Sequence, residues 1–230
     1  MRYWSLGSIP AARRRREQKL AEAKARLPSL VTVKCDISRR EERARLFKWV
    51  EEKYPHLNIL VNNAGIQRAV NFRKGAQELL AGENEIEINL IAQVELAAYF
   101  VPFLEKKKES AIINISSGLA FVPIAIYPVY SATKAAIHSF SVTLRQQLKN
   151  TPVKVFEVAP PTTDTELDKG MREKRGIDKG ITAEEVAAAT LKGIAGDEFE
   201  IAIEEANRLR ERSKTDFEET FHEMNDKIPF

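Results

Sequence analysis

Residues 111–140 read AIINISSGLAFVPIAIYPVYSATKAAIHSF. The stretch opens with a continuous apolar run of a strand's length and stops at Ser116-Ser117-Gly118. From about residue 129 to 149 the pattern becomes helical. A strand that is apolar on both faces suits a parallel sheet covered on both sides. Strand, small polar turn and helix in that order form the repeating unit of an α/β fold.

The same unit recurs on either side. LVTVKCD at 30–36 and NILVNNAG at 58–65 are further apolar runs ending in small or polar residues. VKVFEVAP at 153–160 alternates more and stops at Pro160-Pro161, and FEIAI at 199–203 is a short fifth run. Helical patterns lie between them. Ser38 reads as the N-cap of an amphipathic helix with Leu46, Trp49 and Val50 on its inner face. Glu83 to Lys107 carries Leu90, Val94, Ala97 and Val101 at helical spacing. Thr182-Ala-Glu-Glu reads as a capping box, and Glu204 to Met224 as a charged helix. Alternating strands and helices with right-handed crossovers give a doubly wound parallel α/β sheet. The polar stretch 162–181, with Gly170, Gly176 and Gly180, is the expected mobile loop.

At 230 residues the chain is expected to form one domain over 1–230, with 1–14 as an atypical leading segment. A formal charge of +3 offers no basis for nucleic-acid binding. The one cysteine, Cys35, excludes an intrachain disulfide and suits a reducing compartment, the cytoplasm. No wholly apolar run of about 18 residues suggests a membrane span. Three histidines and one cysteine show no metal-ligand spacing.

Tyr130 and Lys134 are four apart on the expected helix and share a face. A tyrosine loses its proton near pH 10, and a neighbouring ammonium favours the phenolate. Ser117 stands at the carboxyl end of a strand, where open α/β sheets bind ligands. Its hydroxyl there could hold a carbonyl while Tyr130 moves the proton. Taken alone, the pair also fits a half-buried aromatic beside a solvated charge, and the serines a simple cap.

The combination resembles the short-chain dehydrogenase/reductase family. The residues that carry the resemblance are Asn62-Asn63-Ala64-Gly65, Asn89 in EIEINLIAQ, Ile115-Ser116-Ser117, Tyr130-Ser131-Ala132-Thr133-Lys134 and Asp36 in CDIS. The resemblance implies a Rossmann-like fold and an NADP- or NAD-dependent interconversion of a small carbonyl and alcohol. It implies a tetrad of Asn89, Ser117, Tyr130 and Lys134. Tyr130 would be the general acid/base, Ser117 would polarise the carbonyl, and Lys134 would hold the nicotinamide ribose. Asn89 would keep its helix open to a water. Asp36 and Ile37 would face the adenine, and Asn62, Ala64 and Gly65 the adenosine ribose. Pro160 and Thr165 would lie near the carboxamide. Homodimers or homotetramers built on helices 83–107 and 129–149 are also implied.

Two features depart from the family. Pro161 stands where a glycine is usual, a variant similar to the DltE-like branch. The family's opening strand, glycine-rich turn and helix have no counterpart before Arg15, so the sheet is expected to be truncated at its N-terminal side. Arg15 and Arg16 fall where a guanidinium pair often grips the 2′-phosphate of NADP; the same run also fits a solvated helix start. Two functions remain open: a reductase with its chemical half retained, and a non-catalytic protein of the same descent that acts by association.

Overall fold

The computed structural model describes residues 15–167, 179–226 and 228. Four apolar runs become strands: β1 (Ile59–Asn62), β2 (Ser110–Ile115), β3 (Val153–Ala159) and β4 (Glu200–Ala202). They lie in the order β1-β2-β3-β4, and every pairing is parallel. Asn62 stands opposite Asn114, and Asn114 opposite Glu157. One face of the sheet therefore carries a row of polar side chains near its carboxyl end.

The helices are α1 (Arg15–Arg26), α2 (Arg40–Lys53), α3 (Ala76–Leu80), α4 (Ala92–Leu104), α5 (Pro128–Gln147), α6 (Ala183–Ala195), α7 (Glu205–Thr215) and α8 (Phe217–Asn225). Ile112, Val153 and Val155 bury one face of the sheet against Leu96 and Phe100 of α4 and Leu144 of α5. Ile113, Phe156, Val158 and Ile201 bury the other against Val186 and Ala189 of α6. Helices on both faces make the doubly wound arrangement. Each fully buried Leu, Ile or Phe side chain contributes roughly 1.5–3 kcal/mol of burial.

The run at 30–36 is a correction. It is expected as a strand, yet it takes no strand conformation. Among the described residues no strand pairs with it, and the free edge of β1 is unpaired as well. Backbone without a neighbouring strand has no ladder to join. Val33 and Cys35 still pack against the main core, and Ile37 enters a small cluster with Ala64, Ile88 and Ala92. The segment docks by these side chains and by hydrogen bonds from its backbone to the Glu42 and Arg43 side chains of α2, not by strand pairing.

Smaller expectations shift too. α2 starts at Arg40 with Arg39 at its cap; Ser38 instead bonds the Asp36 carboxylate through both its amide and its hydroxyl. The buried stripe of α4 is Ala92, Leu96, Phe100 and Leu104, and of the expected four only Ala97 is buried. A helix apolar nearly all round fixes its own phase poorly. Glu87–Leu104 is long and apolar enough to cross a membrane, but half of it is buried inside the fold. The expected capping box at Thr182 is present, and the charged tail breaks at Asp216 into α7 and α8. The ends of the 162–181 loop are zipped together: Thr163 bridges Ile181, and Ile181 N–H donates to Thr162 O. Gly180 permits this with φ 73°, where an added Cβ would lie 1.9 Å from Thr162 O.

Candidate active site

The site lies where β1 and β2 end and α5 begins. Pro128 occupies the first turn of α5, where its missing N–H costs nothing. One turn in, Tyr130 and Lys134 point into the protein, 6% and 3% exposed. Ser117 follows β2, accepts a hydrogen bond from Leu119 N–H at 3.2 Å, and is hydrogen-bonded to Tyr130. Lys134 Nζ donates to Ile115 O at 2.8 Å and stands 5.5 Å from the centre of the Tyr130 ring.

Burial pushes the Tyr130 phenol up to about 12, helped by the Glu85 charge and opposed by the Ser117 hydrogen bond. Burial pulls the Lys134 ammonium down to about 8, and the Glu157 charge works against that fall. At neutral pH the site thus holds a protonated phenol beside a charged ammonium.

Asn89 is placed by a feature that periodicity does not reveal. Glu87–Ile91 forms a single π-helical turn ahead of α4, a geometry common at functional sites. From it the Asn89 amide accepts from Ile66 N–H and donates to Ile66 O, both at 2.8 Å. It also donates to Thr133 Oγ1 at 3.2 Å. One side chain therefore ties the end of β1 to α5. Gly65 lies in the same corner: a Cβ there would sit 3.3 Å from Asn89 Oδ1 and 3.7 Å from Lys134 Nζ. Asn62 is buried and donates to Asn114 Oδ1 at 2.9 Å, while its own Oδ1 has no partner among the described residues. Gln93 Nε2 donates to Ala64 O at 3.2 Å.

The remaining sequence-derived positions are spread more widely. Asp36 is half-buried and its carboxylate is occupied by Ser38. Ile37 is core, 1% exposed. Pro160 O accepts Gly118 N–H at 3.1 Å, so it borders the serine turn. Thr165 is exposed, and its hydroxyl accepts Leu167 N–H at 3.3 Å. The side chains of Arg15 and Arg16 lie outside the described residues.

Sequence reasoning missed Glu85. It is 2% exposed, accepts Arg68 N–H through one oxygen and leaves the other without a partner among the described residues. Burial raises its carboxyl to about 7. Its place four residues before Asn89 is the one clue, since a buried glutamate is spelled like an exposed one. Around the Tyr130 ring the wall is apolar, formed by Leu119, Ile124, Ile126 and Leu167.

Residues 3–176 match the short chain dehydrogenase family. The chain belongs to this family. It is 48% identical over 212 residues to the uncharacterized oxidoreductase DltE of Bacillus subtilis (strain 168), covering 92% of this chain and 84% of that one. It is 29% identical over 202 residues to 1-deoxy-11-beta-hydroxypentalenate dehydrogenase of Streptomyces exfoliatus, covering 86% and 74%. A solved short chain dehydrogenase from Burkholderia cenocepacia J2315, in complex with NADP, superposes with a TM-score of 0.74 at 26% identity, covering 88% and 80%.

Short-chain dehydrogenases of this kind hold a nicotinamide dinucleotide, and the residues here fit its ribose end. The space that a Cβ on Gly65 would fill opens onto Lys134 Nζ and Asn89. Lys134 has three donors and gives one to Ile115 O, which leaves the others for ribose hydroxyls.

Proposed function

We propose that this protein interconverts a small carbonyl compound and its alcohol with NADP(H) or NAD(H). The observation that carries the reading is the buried Ser117–Tyr130–Lys134 cluster at the carboxyl end of a parallel sheet. The nicotinamide, when bound, supplies or accepts the hydride. Lys134 and Gly65 would hold its ribose. The Tyr130 hydroxyl gives its proton to the carbonyl oxygen in reduction and takes it back in oxidation. Ser117 donates a hydrogen bond to the same oxygen and fixes its direction. Asn89 holds the Ile66 backbone and Thr133 in register, so that the corner around Lys134 keeps its shape.

The wall of Leu119, Ile124, Ile126 and Leu167 excludes water beside the reacting carbon and favours a carbonyl flanked by apolar groups. Lys134 carries its charge below pH 8 and loses it above, so turnover falls as pH rises through about 8. The assay is NADPH or NADH oxidation with a panel of aliphatic and aryl ketones and aldehydes. Turnover that prefers the apolar members, with an alkaline decline near pH 8, supports the reading. A protein that binds cofactor but turns over no carbonyl acts by association instead.

We further propose assembly as a homodimer or homotetramer. Ala132, Ala135 and Ser139 line the exposed side of α5 with Ala136 half-buried beside them, and these small residues allow close helix approach. Light scattering giving a monomer at micromolar concentration would remove this proposal. The Cys35 thiol, raised to about 11 by burial, stays protonated at neutral pH; it is the one cysteine of the chain, and a reducing compartment, the cytoplasm, is the proposed location.

A further inference from the structure

Behind the tetrad lies a second buried polar group that the proposed chemistry does not use. Glu157 sits in the middle of β3 and is 0% exposed. Ser116 Oγ donates to its Oε1 at 2.5 Å, and His138 Nδ1 lies 2.8 Å from its Oε2. His138 is one turn beyond Lys134 on α5, and its side chain is 30% exposed. The chain of contacts therefore runs from solvent through His138 and Glu157 to Ser116, the residue before Ser117.

We propose that His138 and Glu157 form a positioning ion pair beneath the site, which fixes the Ser116–Ser117 turn and holds a negative charge under the Lys134 ammonium. The proposal rests on the hydride-transfer reading for its purpose, but the pair itself is testable without it. Isolated, a carboxylate this deep would cost several kcal/mol. Two hydrogen bonds and a cation offset that cost. The Glu157 hydrogen bond holds the His138 imidazolium above the ordinary histidine value, against the desolvation that lowers it. Glu157 likewise opposes the fall of the Lys134 pKa caused by burial.

The other groups facing the pair agree with this assignment. Glu200 on β4 adds negative charge near His138, and Arg145 on α5 opposes it. Glu200 is paired with Arg210 of α7 at 3.2 Å, and Phe121 meets the imidazole edge-on at 5.2 Å. His138, Glu157 and Glu200 offer donor atoms within 4.8 Å of one another, which resembles a cation site. Both Glu157 oxygens are already hydrogen-bonded, however, and Glu200 already carries a guanidinium. A cation would have to displace these partners, so the cluster is read as a proton-bearing pair.

The test is an NMR pH titration of the full-length protein. The three histidines, His56, His138 and His222, are separable, with His138 assigned through His138→Gln. Lysine labelled with ¹³C at Cε, assigned through Lys134→Met, reports the ammonium. In the wild type His138 titrates above about 6.5. In Glu157→Gln it returns to about 6.5 or below, and Lys134 moves down by about half a unit or more. The alkaline limb of turnover moves down with it, a displacement that a purely structural role would not cause.

A wild-type His138 that titrates at or below 6.5 overturns the pair, and this measurement needs no variant to fold. A Lys134 titration unchanged in Glu157→Gln overturns the support of the ammonium. Both shifts without reduction of any carbonyl uphold the pair and overturn the hydride-transfer reading instead.

Discussion

The carboxyl ends of β1 to β3 and the segment 30–37 are adjacent, yet they are held in different ways. Around Tyr130 each functional side chain has defined partners: Ser117 for the phenol, Ile115 O for Lys134, and Ile66 and Thr133 for Asn89. These partners come from β2 and the turns after β1 and β2, whose strands the parallel ladder joins, and from α5 beside them. Along 30–37 there is no ladder among the described residues: Val33, Cys35 and Ile37 pack by apolar contact, and side chains of α2 supply the hydrogen bonds, Asp36 N–H donating to Glu42 Oε2 at 2.7 Å and Ile37 O accepting from the Arg43 guanidinium. Chemistry is built where the sheet is continuous. The segment expected to face the adenine is docked rather than woven.

The first way to break this comparison is through Lys134. Lys134→Met removes both the ribose donors and the charge beside the phenol, and turnover should fall by about 10³-fold. A loss under about tenfold would show that the tight side of the molecule is not the working side. The second way concerns packing. Ile112→Ala, in the doubly covered part of the sheet, should cost about 4 kcal/mol in urea denaturation, whereas Val33→Ala should cost about 1 kcal/mol. Equal costs would mean that 30–37 is as firmly built as β2.

A third way uses pH. The Glu85 carboxyl is raised from 4.5 to about 7 on folding, so the folded state binds its proton more tightly than the unfolded chain does. That contribution is fully present below pH 4.5 and is lost as pH rises through about 7. Unfolding free energy should therefore drop by up to about 3 kcal/mol between pH 4.5 and 8, and Glu85→Gln should flatten the drop. An unchanged pH profile in the variant would place the charge elsewhere.

Much of this was legible beforehand. The runs at 58–65, 111–118 and 199–203 by apolar content, and 153–160 by alternation up to Pro160-Pro161, declare themselves strands. Ser117, Tyr130 and Lys134 stood out by residue type and spacing and Asn89 through the family resemblance, and the structure brings the four into one corner. LVTVKCD misled because apolar character reports burial and not the presence of a hydrogen-bonding neighbour. The π turn at Glu87–Ile91 was illegible because one extra residue in a turn leaves no periodic trace in an all-round apolar helix. Glu85 and Glu157 were missed for a further reason: their burial depends on partners 17 and 41 residues away in the chain.

The central claim is that Tyr130 moves the proton while the rest of the corner holds the reactants. Its most direct test is Tyr130→Phe beside the wild type, with cofactor binding measured by calorimetry and carbonyl reduction by loss of NADPH absorbance. The phenyl ring keeps the packing against Ile126 and Leu119 and removes only the hydroxyl. NADPH affinity should remain within about threefold, while reduction falls by about 10³-fold or more. Undiminished reduction by the variant would contradict the account.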